Sequence, residues 1–110
     1  MKKDNSVYLE DILLAIEKVD KYTKGLSYEK FEETELFYDA IIRNLEIIGE
    51  AASKLSDEFL VEHPNLPIKE AVRMRNALIH GYDQIKPEVV WQTIKEDLPQ
   101  LREQVKELLK

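Results

Sequence analysis

Apolar side chains recur along most of this chain at three- and four-residue steps, the spacing that lines up one face of a helix. Leu9, Ile12, Leu13, Ile16 and Val19 mark a first helix, with Asn5 and Ser6 as candidate caps and Gly25 as its stop. The stretch 26–35 is mostly polar, with Glu29, Glu32, Glu33 and Glu35, and reads as a loop holding about one helical turn, pinned by Phe31. From Leu36 to about Leu55, apolar residues occupy too much of the circumference for a surface helix, which predicts a central position or a subunit interface. Ser56 caps a short helix that cannot pass Pro64. Pro67 opens another that runs to about Ile79, where Gly81 is expected to supply a left-handed stop. A last helix starts near Pro87 and carries Val90, Ile94, Leu98, Leu101, Val105 and Leu108, with Pro99 expected to kink or split it near 95–98. Short connections make successive helices antiparallel neighbours, so the pattern predicts an all-α, up-and-down bundle of about four or five helices.

Composition narrows the class of function. At 110 residues the chain is expected to form one domain, 1–110, with a core that needs no staple. The absence of cysteine removes disulfides, thiol nucleophiles and cysteine-based metal sites. With 16 basic and 22 acidic residues the formal net charge is −6, so any contact with nucleic acid has to come from a small local pocket rather than a broad basic face. No apolar run approaches the ~18 residues of a membrane span and no secretion signal is recognisable, so the expected setting is the cytoplasm.

One segment carries candidate chemistry: Arg73-Met74-Arg75-Asn76-Ala77-Leu78-Ile79-His80-Gly81-Tyr82. In an unbroken helix Arg75 and His80 point about 140° apart. A helix that ends at His80 frees the imidazole to swing toward the preceding turn, and this is the role expected of Gly81. Imidazole titrates near neutral pH and guanidinium grips phosphate oxygens by paired hydrogen bonds. Together they suit cleavage of a phosphodiester whose nucleophile is the RNA's own 2′-hydroxyl, a reaction with no requirement for a metal or cofactor. Asn76 adds a neutral donor. In-line attack wants both a base and an acid, and a two-fold dimer would bring a second Arg75 and His80 to one cleft. The bland reading is that two cations complement a helix carboxyl end.

A second feature is a polar line on the most apolar helix, formed by Asp39, Arg43, Glu46 and Glu50 at steps of four, three and four. It is either the solvent side of that helix, or it lines a subunit interface or the wall of the cleft that holds Arg75 and His80. Tyr82 stands beside the same site as a possible target of modification, where added bulk and charge would block an RNA phosphate. His63, before a proline, reads as structural or solvent-facing, and Trp91 as core.

The run Arg75-Asn76-Ala77-Leu78-Ile79-His80-Gly81-Tyr82 resembles the signature of HEPN domains, specifically the HepT-like toxin ribonucleases. Arg43-Asn44-Leu45-Glu46-Ile47-Ile48-Gly49-Glu50-Ala51 and Val90-Trp91-Gln92-Thr93-Ile94-Lys95-Glu96-Asp97-Leu98-Pro99 resemble two further stretches of that family. The resemblance covers nearly the whole chain. It implies a homodimeric, metal-independent endoribonuclease with Arg75 and His80 as catalytic residues. Asn76, Arg73, Arg43, Glu46 and Glu50 are its candidate supporting or RNA-binding residues. It also implies a partner, a minimal nucleotidyltransferase antitoxin that neutralises the toxin by binding it and by adding AMP to Tyr82. The alternative is a non-catalytic HEPN subunit that partners such a nucleotidyltransferase.

Overall fold

Asp4, one residue ahead of the expected caps, starts the first helix: its carboxylate accepts a hydrogen bond from the Ser6 N–H at 3.1 Å. In the computed structural model, which describes residues 4–81 and 85–110, this helix is α1, Asn5–Thr23. Asn5 lies inside it and does a different job. Its amide donates to the Ser56 hydroxyl at 3.1 Å and accepts from the Ser56 N–H at 3.0 Å, tying the start of α1 to a helix start fifty-one residues on. Gly25, at φ 71°, takes the left-handed conformation that turns the chain out of α1.

The polar stretch that follows is more ordered than its composition suggests. Ser27 caps a short helix, α2, Tyr28–Glu33, through the Lys30 N–H at 3.2 Å. Phe31 is fully buried beneath it, as expected. Its ring lies 5.0 Å from Trp91 and 5.3 Å from Tyr38, while Tyr28 meets Trp91 edge-on at 5.9 Å and donates to Glu88 at 2.8 Å. Trp91 is thus half-buried in an aromatic cluster at the edge of the core.

The long helix α3, Glu35–Ser53, is central as the sequence predicts: α1 packs on one side of it and a later helix on another. Ile41, Ile42, Leu45, Ile48 and Ala52 are all buried there. Leu36 and Phe37, at its start, remain exposed. Ser56 caps α4, Asp57–Glu62, through the Phe59 N–H, and the His63 ring stacks 4.5 Å from Phe59 in the turn after it. Next comes α5, Ile68–Gly81, packed on α3.

The carboxyl-terminal segment is split where Pro99 predicts. Lys86 precedes α6, Pro87–Gln92, which passes into a π-turn over Thr93–Asp97 and then α7, Leu98–Leu108. Pro99 has no N–H to give the Lys95 carbonyl and would crowd it, and one wider turn relieves that conflict without ending the helix. The Leu98 N–H reaches back to the Thr93 carbonyl, the five-residue bond of a π-turn. Val90, Ile94, Leu98, Leu101 and Val105 face the core on both sides of the widened turn, and α7 closes the bundle against α1. The described residues contain helices and no strand, which makes the fold an all-α bundle. No helix among them is long and apolar enough to cross a membrane.

Candidate active site

Gly49 sets the position of Arg75. A methyl group at Gly49 would overlap the Arg75 Cβ and stand 2.8 Å from the Ala71 carbonyl oxygen, so α3 and α5 touch here with no room for a side chain between them. Arg75 therefore runs across α3 rather than out from the bundle. Its Nη2 donates to Glu50 Oε2 at 2.6 Å and its Nη1 to Asn76 Oδ1 at 2.8 Å. Glu50 is itself approached by Lys54 at 3.8 Å. The Arg75 side chain is 27% exposed, so it is braced on two sides yet reachable from solvent. Its Nε is buried and has no hydrogen-bond partner among the described residues.

Arg75 lies on the wall of a cleft of about 250 Å³ that Arg43, Glu46, Glu50, Lys54 and Ile79 also line. The polar line on α3 is therefore divided. Arg43, Glu46 and Glu50 face the Arg75 cleft, whereas Asp39 sits in a separate hollow with Glu32, Glu35 and Ile85. The last three members of that line thus share a cleft with Arg75, and His80 is not among the residues that line it.

The left-handed turn expected at Gly81 is overturned. The helix runs through His80 and Gly81, and Gly25 is the one glycine with positive φ among the described residues. Glycine permits the left-handed turn without compelling it. His80 consequently keeps its helical direction, about 140° round from Arg75. That places it on the exposed face of α5 with Arg73 and Asn76, all three open to solvent. Asn76 is the link between the two groups, since it accepts from the Arg75 guanidinium and lies one turn before His80. Arg73 lines a different groove, toward α6. Tyr82 lies outside the described residues.

Comparison with known proteins decides the family. The family model for HepT-like ribonucleases matches residues 12–108. The chain belongs to the HepT-like ribonuclease family. It is 41% identical over 110 residues to a probable ribonuclease HepT of Thermococcus cleftensis, with both chains covered in full. A candidate RNase of Caldanaerobacter subterraneus is 42% identical over 102 residues, which span 93% of this chain and 91% of the relative. Another from Methanocaldococcus jannaschii is 39% identical over 104 residues, 94% and 95% of the two chains. No solved structure matches. The protein is accordingly an enzyme of the ribonuclease class, and RNA is its substrate class.

Gly49, like the cleft residues Lys54 and Ile79, escaped the sequence reading. Gly49 was visible as a lone glycine inside an otherwise apolar helix, a pattern that signals close packing, but the sequence does not say what approaches it.

Proposed function

We propose that this HepT-like ribonuclease is the toxin of a type II HEPN/MNT toxin–antitoxin pair, a cytoplasmic homodimer that cleaves RNA without a metal at a cleft shared by two copies. The observation that carries this reading is the course of α5: it directs Arg75 and His80 of one copy apart while leaving both reachable, which supports a pair completed by a second chain. The surface supports a second copy as well. Ile79, a large aliphatic side chain beside the cleft, is left 47% exposed.

In this reading the RNA 2′-oxygen attacks the adjacent phosphorus and the bond to the 5′-oxygen breaks, leaving a 2′,3′-cyclic phosphate and a 5′-hydroxyl end. One His80 takes the proton from the 2′-hydroxyl and the His80 of the other copy gives one to the departing 5′-oxygen. Arg75, preset by Glu50 and Asn76, holds the non-bridging oxygens as their charge grows. Arg43 and Glu46 shape the cleft beside it. The nucleotidyltransferase antitoxin silences the enzyme by binding it and by transferring AMP from ATP to the Tyr82 hydroxyl with release of pyrophosphate. A phosphodiester at that position competes with substrate for the same cations.

The deciding experiment is His80→Ala. RNA cleavage and growth inhibition vanish while helical content and dimerisation persist, and wild-type cleavage continues in EDTA. Full activity in the variant ends the catalytic assignment. For the antitoxin arm, the wild-type chain incubated with its nucleotidyltransferase and ATP gains mass in adenylyl steps and Tyr82→Phe does not; an unchanged wild-type mass removes that mechanism.

A further inference from the structure

The exposed face of α5 carries more than the family motif. Lys69, Arg73, Asn76 and His80 follow one another at steps of four, three and four, which stacks them in a single line along the helix, and all four are exposed. Neither Lys69, Arg73 nor His80 forms an ion pair with a carboxylate among the described residues, in a chain whose formal net charge is −6. Lys69 and Arg73 are therefore available to an anion, on a line that ends at His80.

Beside this line lies a groove of about 430 Å³ between α5 and the start of α6. Its lining is mostly apolar, while Arg73 from one helix and the exposed Lys86 from the other stand on it. Val89, on the groove, is 46% exposed, a large aliphatic side chain left without cover. Glu70 lines it as well and offers an acceptor to the N–H edge of a base. An apolar surface flanked by two cations fits the two halves of a nucleotide, a flat base and its phosphate. Ala77 connects the groove to the motif, since it lines the groove and lies three residues, less than one turn, before His80.

We propose that the groove floored by Met74, Ala77, Ile85 and Val89 and flanked by Arg73 and Lys86 is an RNA subsite, which seats the base and phosphate of a nucleotide next to the one cleaved. The subsite rests on the ribonuclease reading for its occupant, and it lies apart from the Arg75 cleft. It orients a single strand before His80 acts and contributes to binding rather than to bond breaking.

The test uses the full-length protein with a short single-stranded 2′-O-methyl RNA, which binds but has no 2′-hydroxyl to attack, and a natural RNA of the same sequence for cleavage. Lys86→Ala raises Kd roughly five-fold and lowers the slope of log affinity against log salt by about 0.7, the loss of one phosphate contact on a single strand. Val89→Ser raises Kd roughly five-fold with no change in that slope, because it removes contact with the base alone. Both raise KM and leave kcat within about two-fold, with far-ultraviolet circular dichroism unchanged. If the wild type cleaves RNA and both variants keep its Kd, salt slope and KM, the subsite is rejected and the ribonuclease reading stands. Binding without cleavage, weakened by both variants, keeps the subsite and removes the catalytic mechanism. A wild type that neither binds nor cleaves RNA overturns both.

Discussion

The Arg75 guanidinium is bound end-on to Glu50, Nη2 to Oε2 at 2.6 Å, across the seam between α5 and α3. The pair is about half exposed at Glu50, and such pairs contribute little to folding, typically below about 1 kcal/mol. Its importance is geometric. Glu50→Ala is expected to leave the melting temperature nearly unchanged while lowering kcat/KM about ten-fold or more, since a misdirected guanidinium meets the phosphate poorly. Glu50→Gln keeps an acceptor at the same place and restores part of the loss. Steady-state kinetics beside thermal melts separate the effects, and equal activity in all three proteins excludes a positioning role.

Gly49→Ala sets two tendencies against each other. Helix propensity alone favours alanine by up to about 1 kcal/mol in mid-helix. Against it stands the overlap with Arg75 and the Ala71 carbonyl, which are backbone and near-backbone atoms that cannot swing aside. Overpacking of this kind costs about 1–3 kcal/mol, so the expected sign is destabilising, with catalysis reduced as well because Arg75 is the displaced residue. A urea melt more favourable than wild type contradicts the close seam.

Mixing active and inactive chains examines the shared cleft directly. With base and acid supplied by the His80 of two copies in one cleft, a dimer of wild type with His80→Ala is inactive, and random re-pairing of equal amounts leaves about a quarter of wild-type activity, that of the fully wild-type dimers. Sites built within single chains return about half. The assay is RNA cleavage after co-refolding in equal amounts.

Asp97, in the π-turn, has its carboxyl pKa raised above the usual 3.8 by burial, and further by Glu96 and Glu70. The folded state therefore holds that proton to higher pH than the unfolded chain. Stability from this source is full below the unfolded pKa and declines as pH climbs through the folded value. Asp97 makes no side-chain capping bond that a substitution would sacrifice. Asp97→Asn is thus expected to melt higher than wild type at pH 7, with the difference closing on acidification below about pH 4. A difference that is constant from pH 7 to 3.5 assigns the effect to something other than titration.

The large divisions of the fold were legible because they rest on local rules. Periodic apolar residues located α1, α3, α5 and α7, Ser56 signalled α4, and Pro99 announced the break before α7. What failed depended on a choice between permitted alternatives. Gly81 was free to turn left-handed and instead stayed helical, and Asp4 won the capping role from Asn5, which found a distant partner in Ser56. At the site, the motif residues were plain in the sequence but their grouping was not. Arg75 joins Arg43, Glu46 and Glu50 through the contact at Gly49, while Arg73 turns toward α6. Such groupings follow from which helices cross and at what height, and spacing within one helix carries no record of that.

Trp91 is the chain's single tryptophan, wedged among Tyr28, Phe31 and the ammonium of Lys95, 4.7 Å from its ring centre. Its emission therefore reads one corner of the protein, where the short α2 docks on α6, and is silent about the seam that carries the guanidinium. Unfolding followed by that light and by helical signal need not coincide: a gap between the two curves would show the small helix lifting away before the main bundle gives.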